Sequence, residues 1–194
     1  LKDLKEKSSH WELFPMQSYG EFSYQADVWD NSDDINTGDV AGGLVFRATD
    51  DTHFYAALID PRTGKYAVMK WNGTTSSALV DWADSATIKR QAEVNQIRVD
   101  GDGGNFTLYV NGEKLADFKD SSYTKGGIGF ASSNVDAPGN HIHFDNVKVY
   151  STEAAETPAA LPTTGAEDTS LWLALALGLA LLSLGVWTRR AANW

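Results

Sequence analysis

Seven side chains early in the chain carry the groups that sugar recognition needs: Gln25, Asp27, Trp29, Arg47, Tyr55, Tyr66 and Lys70. A sugar presents an apolar C–H face and a rim of hydroxyls. A site for it therefore joins aromatic rings to planar hydrogen-bonding groups on a preformed surface. Period-2 alternation sets Arg47 opposite Phe46, Tyr55 opposite Phe54, and Tyr66 and Lys70 opposite Met69. That register predicts one exposed patch made of Arg47, Tyr55, Tyr66 and Lys70, with Gln25, Asp27 and Trp29 beside it. Leu44, Phe46, Phe54, Leu58 and Met69 are then expected in the core.

Other chemistries find less support. Retaining glycoside hydrolysis needs two carboxyls roughly 5–5.5 Å apart. Glu21 and Asp27 share a strand face but sit six residues apart, roughly 20 Å. The chain has no G-x-S-x-G elbow, phosphate loop or H-E-x-x-H. His141-Ile142-His143 puts two imidazoles on one side of a strand, and a metal there would need a third ligand from His10, His53 or a carboxylate. Two polar residues on an exposed strand end is the simpler reading. Asp30 to Asn36 has the look of a calcium loop, but its sixth position is Ile35 where the EF-hand turn requires glycine.

The elements that must position these residues are strands. Glu21 to Trp29 alternates cleanly, and further runs follow at Gly42–Thr49, Thr52–Asp60, Lys65–Trp71 and Ser76–Val80. Only Asp81 to Gln91 lacks period-2 character. Val94–Asp100, Asn105–Val110 and Glu113–Phe118 form a meander, with Asn111-Gly112 as its hairpin turn. Ile128–Ser132 and His141–Tyr150 complete the set. About ten short strands and no helix before Leu171 predict an all-β, antiparallel two-sheet sandwich.

The net charge of −10 disfavours nucleic acid as a partner, and the absence of cysteine excludes a disulfide framework and thiol catalysis. The expected organisation is an upstream linker end at 1–8, a sandwich domain at 9–150, a linker at 151–160 and a C-terminal signal at 161–194. The chain opens at Leu1 without an apolar leader, so an exported product is expected to have more sequence upstream.

The run GGLVFRATDDTHFYAALIDPRTGKYAVMKW, then NQIRVDGDGGNFTLYVNGEKLADFKD, KGGIGFAS and HFDNVKVY resembles the concanavalin A-like lectin/glucanase jelly roll. Its nearest branches are the laminin-G-like and 3-keto-disaccharide hydrolase ones. The resemblance spans roughly Tyr19 to Tyr150 and implies a jelly-roll sandwich whose relatives include lectins, hydrolases and inert spacers. Glucanases of this superfold carry E-x-D-x-x-E or E-x-D-x-E, which this chain lacks. The reading is a binding module for carbohydrate or another extracellular ligand, with no cofactor required. The alternatives are a glycoside-acting enzyme of the 3-keto-disaccharide hydrolase type and a spacer for an upstream catalytic domain. The resemblance also implies structural calcium near the sandwich rim, at Asp145 or the Asp30–Asp39 loop, against the plainer reading of a solvated acidic loop.

The C-terminus carries its own pattern. Leu161-Pro162-Thr163-Thr164-Gly165 precedes a polar run, then Leu171 to Trp187 without a charge, then Arg189-Arg190. As a helix the apolar run would be roughly 26 Å long, at the short end of what spans a bilayer core. The basic pair would then lie in the cytoplasm and the domain outside. This order resembles a cell-wall sorting signal of Gram-positive-type surface proteins. The resemblance implies sortase as partner, with recognition through Leu161, Pro162, Thr163, Thr164 and Gly165. The Thr164–Gly165 bond would be cut and Thr164 transferred to an amine of cell-wall peptidoglycan. A plain single-pass anchor in the membrane through 171–187 is the alternative.

Overall fold

The strands expected from alternation are present in a computed structural model, which describes residues 2–3, 9–14, 17–31, 40–134 and 140–151. The LPTTG pentapeptide, the apolar run 171–187 and residues 32–39 of the acidic loop lie outside the described residues. Among the described residues twelve strands occur in the order β1 (Lys2–Asp3), β2 (Ser9–Leu13), β3 (Phe22–Asp30), β4 (Val40–Ala48), β5 (His53–Asp60), β6 (Lys65–Asn72), β7 (Thr75–Asp84), β8 (Asn95–Asp102), β9 (Asn105–Val110), β10 (Glu113–Lys119), β11 (Gly127–Asn134) and β12 (Asn140–Ser151). They form two six-stranded antiparallel sheets. The first runs β1-β12-β3-β8-β9-β10 and the second β2-β11-β4-β5-β6-β7. Among the described residues no helix is long and apolar enough to cross a membrane.

Turn chemistry sets the hairpins. Asn111 and Gly112 both take positive φ, 53° and 85°, as a two-residue turn of the primed type requires. Between β5 and β6 the Asp60 carboxylate accepts from Arg62 N at 2.7 Å and Thr63 N at 3.0 Å. Gly64 there closes back on Asp60 O at 2.7 Å, with φ at 70°. β7 runs on to Asp84, past the expected stop at Val80. Its register on β6 jumps from Val68↔Val80 to Tyr66↔Ala83, so two residues oppose one. That irregularity breaks the alternation by which a strand is recognised.

The core lies between the sheets. Phe22, Tyr24, Ala26 and Val28 of β3, with Ile97, Val99, Phe106 and Leu108, pack against Leu44, Phe46, Tyr55, Ala57, Ile59 and Val68 of the second sheet. A second apolar cluster covers the outside of the second sheet. Val45, Phe54, Ala56 and Leu58 are buried there beneath Trp11, Leu13, Met69 and Trp71. Phe54 stacks on Trp71 with centroids 5.2 Å apart, and Trp11 tilts against both rings.

This second cluster corrects the assigned register of β5 and β6. Phe46 pairs with Tyr55, so Tyr55 faces the core while Phe54, Leu58 and Met69 face outward. Arg47 is also inside, at 1% exposure. Gly127 pairs with Ala48 and Gly129 with Val45, which leaves Phe46 and Arg47 together opposite Ile128. Arg47 takes φ of 50° in this bulge. The extra residue turns its side chain inward, where alternation would have sent it out.

Candidate functional site

On the outer face of the first sheet, period 2 and antiparallel register line up polar and aromatic side chains in rows across five strands. One row is Tyr150, Ser23, Asp100, Thr107 and Asp117, in pairing order from β12 to β10. The next is Lys148, Gln25, Arg98, Tyr109 and Lys114, and a third joins Asp145, Asp27 and Gln96. At the common strand spacing the two five-strand rows are about 19 Å long. The inner neighbours of these residues are the apolar side chains of the core, which anchor the face rigidly.

The rows are cross-braced. Ser23 Oγ donates to Asp100 Oδ1 at 2.6 Å, and Arg98 Nε lies 3.3 Å from the same oxygen. The Arg98 guanidinium sits 3.9 Å from the Tyr109 ring centroid, a close cation–π contact. Thr107 Oγ1 and Lys114 Nζ both donate to Asp117, at 2.9 and 2.7 Å. These bonds hold the Asp117 carboxyl below the usual carboxylate range, the Lys114 bond contributing most. At the end of the face a cleft of about 590 Å³ opens among Glu21, Ser23, Asp100, Asn105, Thr107 and Tyr150. Tyr150 is 61% exposed, a ring available for stacking. The arrangement offers fixed planar donors and acceptors beside aromatic surface, which is what a saccharide requires.

The seven candidate residues divide between this face and the interior. Gln25, Asp27 and Trp29 lie half-buried on the outer face of β3. Asp27 Oδ2 accepts from Asn146 Nδ2 at 2.7 Å, and Trp29 stacks on His143 with centroids 5.0 Å apart. Arg47, Tyr55, Tyr66 and Lys70 do not join them. Tyr55 is fully buried and Tyr66 Oη reaches Leu115 O of the opposite sheet at 3.1 Å. Lys70 Nζ donates to Asp120 at 2.7 Å, and Tyr55 Oη donates to the other Asp120 oxygen at 2.6 Å. These four residues brace the interior and its margin, so the exposed patch expected from them is replaced by the rows on the first sheet. Arg98, Asp100, Thr107 and Tyr109 were missing from the expected set. Their signal was the alternation in β8 and β9, which becomes a continuous face only when the two strands are placed beside β3.

The two histidines share the outer face, with ring centroids 4.4 Å apart. Burial, and secondarily the charge of His141, lowers the His143 pKa from its ordinary value. Asp145 is exposed and accepts from Asn146 N at 2.7 Å. Asp30 is buried and pairs with Arg62 Nε at 2.8 Å, so it serves the fold. Among the described residues no group of three or more His, Cys, Asp or Glu converges as a metal site would need.

Comparison with known proteins agrees with this architecture. Residues 3–150 match the family model described as the 3-keto-alpha-glucoside-1,2-lyase-like domain. No curated protein sequence matches the chain. Among solved structures, the carbohydrate-binding module CBM66 from Bacillus subtilis superposes with TM-score 0.62 at 20% identity, covering 77% of this chain and 86% of that one. The exoplasmic/lumenal domain of VIP36, in a Ca²⁺/Man3GlcNAc-bound form, gives TM-score 0.56 at 12% identity over 80% of this chain and 79% of that one. The β-glucanase of Bacillus licheniformis gives 0.51 at 15% identity, over 71% and 69%. These likenesses establish the concanavalin A-like sandwich.

Proposed function

The chain belongs to the 3-keto-alpha-glucoside-1,2-lyase-like domain family, and from that premise we propose that it is a carbohydrate-binding module whose site is the outer face of the first sheet. The observation that carries this is the set of aligned rows around Arg98 and Tyr109, opening into the cleft beside Tyr150. The carbohydrate-binding module and the Man3GlcNAc-bound VIP36 domain among its structural neighbours support a carbohydrate ligand. A glycan array probed with the full chain, followed by calorimetry on any hit, tests it. Arg98→Ala and Tyr109→Ala are each expected to weaken binding at least about tenfold, close to 1.4 kcal/mol. A hit whose affinity survives both substitutions would put the site elsewhere.

The family's description favours a second reading, elimination at a 3-keto-glucoside. Such a reaction needs a base within reach of the proton beside the carbonyl. The carboxylates of Asp27 and Asp100 and the His143 imidazole are among the groups of this face that could serve. Consumption of a 3-keto-glucoside by the full chain, lost in Asp100→Asn but not in Asp117→Asn, would select catalysis over binding.

The location proposed for the module is the outer cell surface, through the sorting-signal pattern at 161–194. In a sortase-bearing host the mature chain is expected to end at Thr164, and Thr164→Ala to leave it uncut in the membrane fraction. Mass spectrometry is the readout. An intact Arg189-Arg190 tail on the wild-type protein would leave a membrane anchor in place of wall attachment.

A further inference from the structure

A second cleft, of about 700 Å³, lies among residues of β4, β11 and the loops beside them, away from the rows of the first sheet. Phe14, Thr49, Asp50, Ser122, Thr124 and Gly127 are among its walls. We propose that this cleft is a second ligand site of the module, taking a neutral saccharide.

The walls are fixed from below by buried side chains. Arg47 Nη1 donates to Tyr123 O at 3.0 Å, and Tyr55 Oη accepts from Tyr123 N at 3.0 Å. Tyr123 Oη in turn donates to Trp71 O at 2.7 Å. Tyr19 and Gly126 exchange backbone hydrogen bonds of 2.9 and 3.2 Å. Four tethers on a loop without regular structure leave little freedom to lose on binding, and that preorganisation favours affinity. Immediately before the wall residues Ala48 and Thr49, Arg47 holds a left-handed φ of 50°. Non-glycine residues persist in that region only where their surroundings over-determine them, as happens around binding sites.

The lining chemistry suits a sugar. Thr49, Ser122 and Thr124 are exposed, and their hydroxyls can both donate and accept. Asp50 is oriented by Thr52 N at 2.8 Å and by His53 Nδ1 at 2.9 Å. The bond from His53, then those from Thr52, hold its carboxyl down at about 2, so it stays anionic; Lys125 also lines the cleft, so the walls carry one charge of each sign and no net charge that would call for an acidic ligand. Half-buried Leu13 and Phe14 supply apolar surface for the C–H face of the ring. The floor admits close approach at Gly127, where an added Cβ would meet only Ala48 O at 3.7 Å.

The same observation supplies the test, because a Cβ is tolerated at position 127, in the wall of the cleft. The full chain, labelled with ¹⁵N, is titrated with cellotriose, maltotriose, mannotriose and 1-kestose, and with trigalacturonate as the acidic control. At least one neutral trisaccharide is expected to shift the amides of Thr49, Ser122, Thr124 and Gly127 saturably, while trigalacturonate does not. Gly127→Trp and, on the exposed loop, Thr124→Trp are expected to weaken those responses at least about tenfold. The amides of Ser23, Asp100 and Thr107 report separately on the first sheet and should be untouched by either substitution. No response at the cleft from any neutral trisaccharide overturns the proposal, as does a response that persists in both variants or an equal response to trigalacturonate.

Discussion

Arg47→Ala is expected to remove about 3–5 kcal/mol of folding stability. Three losses combine. The guanidinium donates to Tyr123 O at 3.0 Å and to Gly20 O, so two carbonyls at the sandwich margin lose their donor. It also lies over the Phe106 ring, 4.7 Å from its centroid, with Phe22 at 5.8 Å, and its removal leaves a hole in the aromatic core. Finally, alanine gains nothing from a φ of 50°, so the bulge loses what held it. Arg47→Lys should recover only part of the loss, since an ammonium cannot serve both carbonyls from one fixed fork. Chemical denaturation of the two variants measures this. A cost below about 1 kcal/mol for Arg47→Ala would mean that the bulge is held by the backbone alone.

Asp120→Asn is expected to cost about 2 kcal/mol at neutral pH, and the deficit should shrink in acid. The carboxylate accepts from Tyr55 Oη at 2.6 Å, Lys70 Nζ at 2.7 Å and Ser122 N at 2.7 Å. Burial pushes the Asp120 pKa up, but the bonds from Lys70, Ser122 and Tyr55 outweigh it and hold the group well below its ordinary 3.8. A folded-state pKa depressed in this way contributes stability that is present above the unfolded value and is lost as pH falls through the folded one. The difference between wild type and Asp120→Asn should therefore be level from neutral pH down to about 5, then narrow below about 4. A pH-independent difference would show that the amide loses geometry and not charge. Burial and the same carboxylate push the Tyr55 hydroxyl up, so it remains a donor throughout this range.

The first effect sits on a residue, Arg47, that alternation alone would place in solvent, and that contrast shows where local sequence information ends. The strands were legible because one face of each is core. In β3 the pattern Phe22, Tyr24, Ala26 and Val28 inward, with Ser23, Gln25, Asp27 and Trp29 outward, follows directly from period 2. The turns were legible for an equally local reason, since Asn111-Gly112 takes the positive φ pair that few other residues adopt. Those same rules place Gln25, Asp27 and Trp29 on the face where the rows form.

The interior of the second sheet was decided only by tertiary structure. β5 is apolar on both sides, Phe54, Ala56 and Leu58 beneath Trp11 and Trp71, and Tyr55, Ala57 and Ile59 against the other sheet. Alternation cannot choose between two buried faces; the pairing of Phe46 with Tyr55 chooses. At Arg47 the bulge inverts the side chain, and its cause, Phe46 and Arg47 opposing the single Ile128 of β11, lies some eighty residues away in the chain. The rows of the first sheet are of the same kind. Arg98, Tyr109 and Ser23 each follow a local pattern, but their meeting depends on β3, β8 and β9 lying side by side in one register.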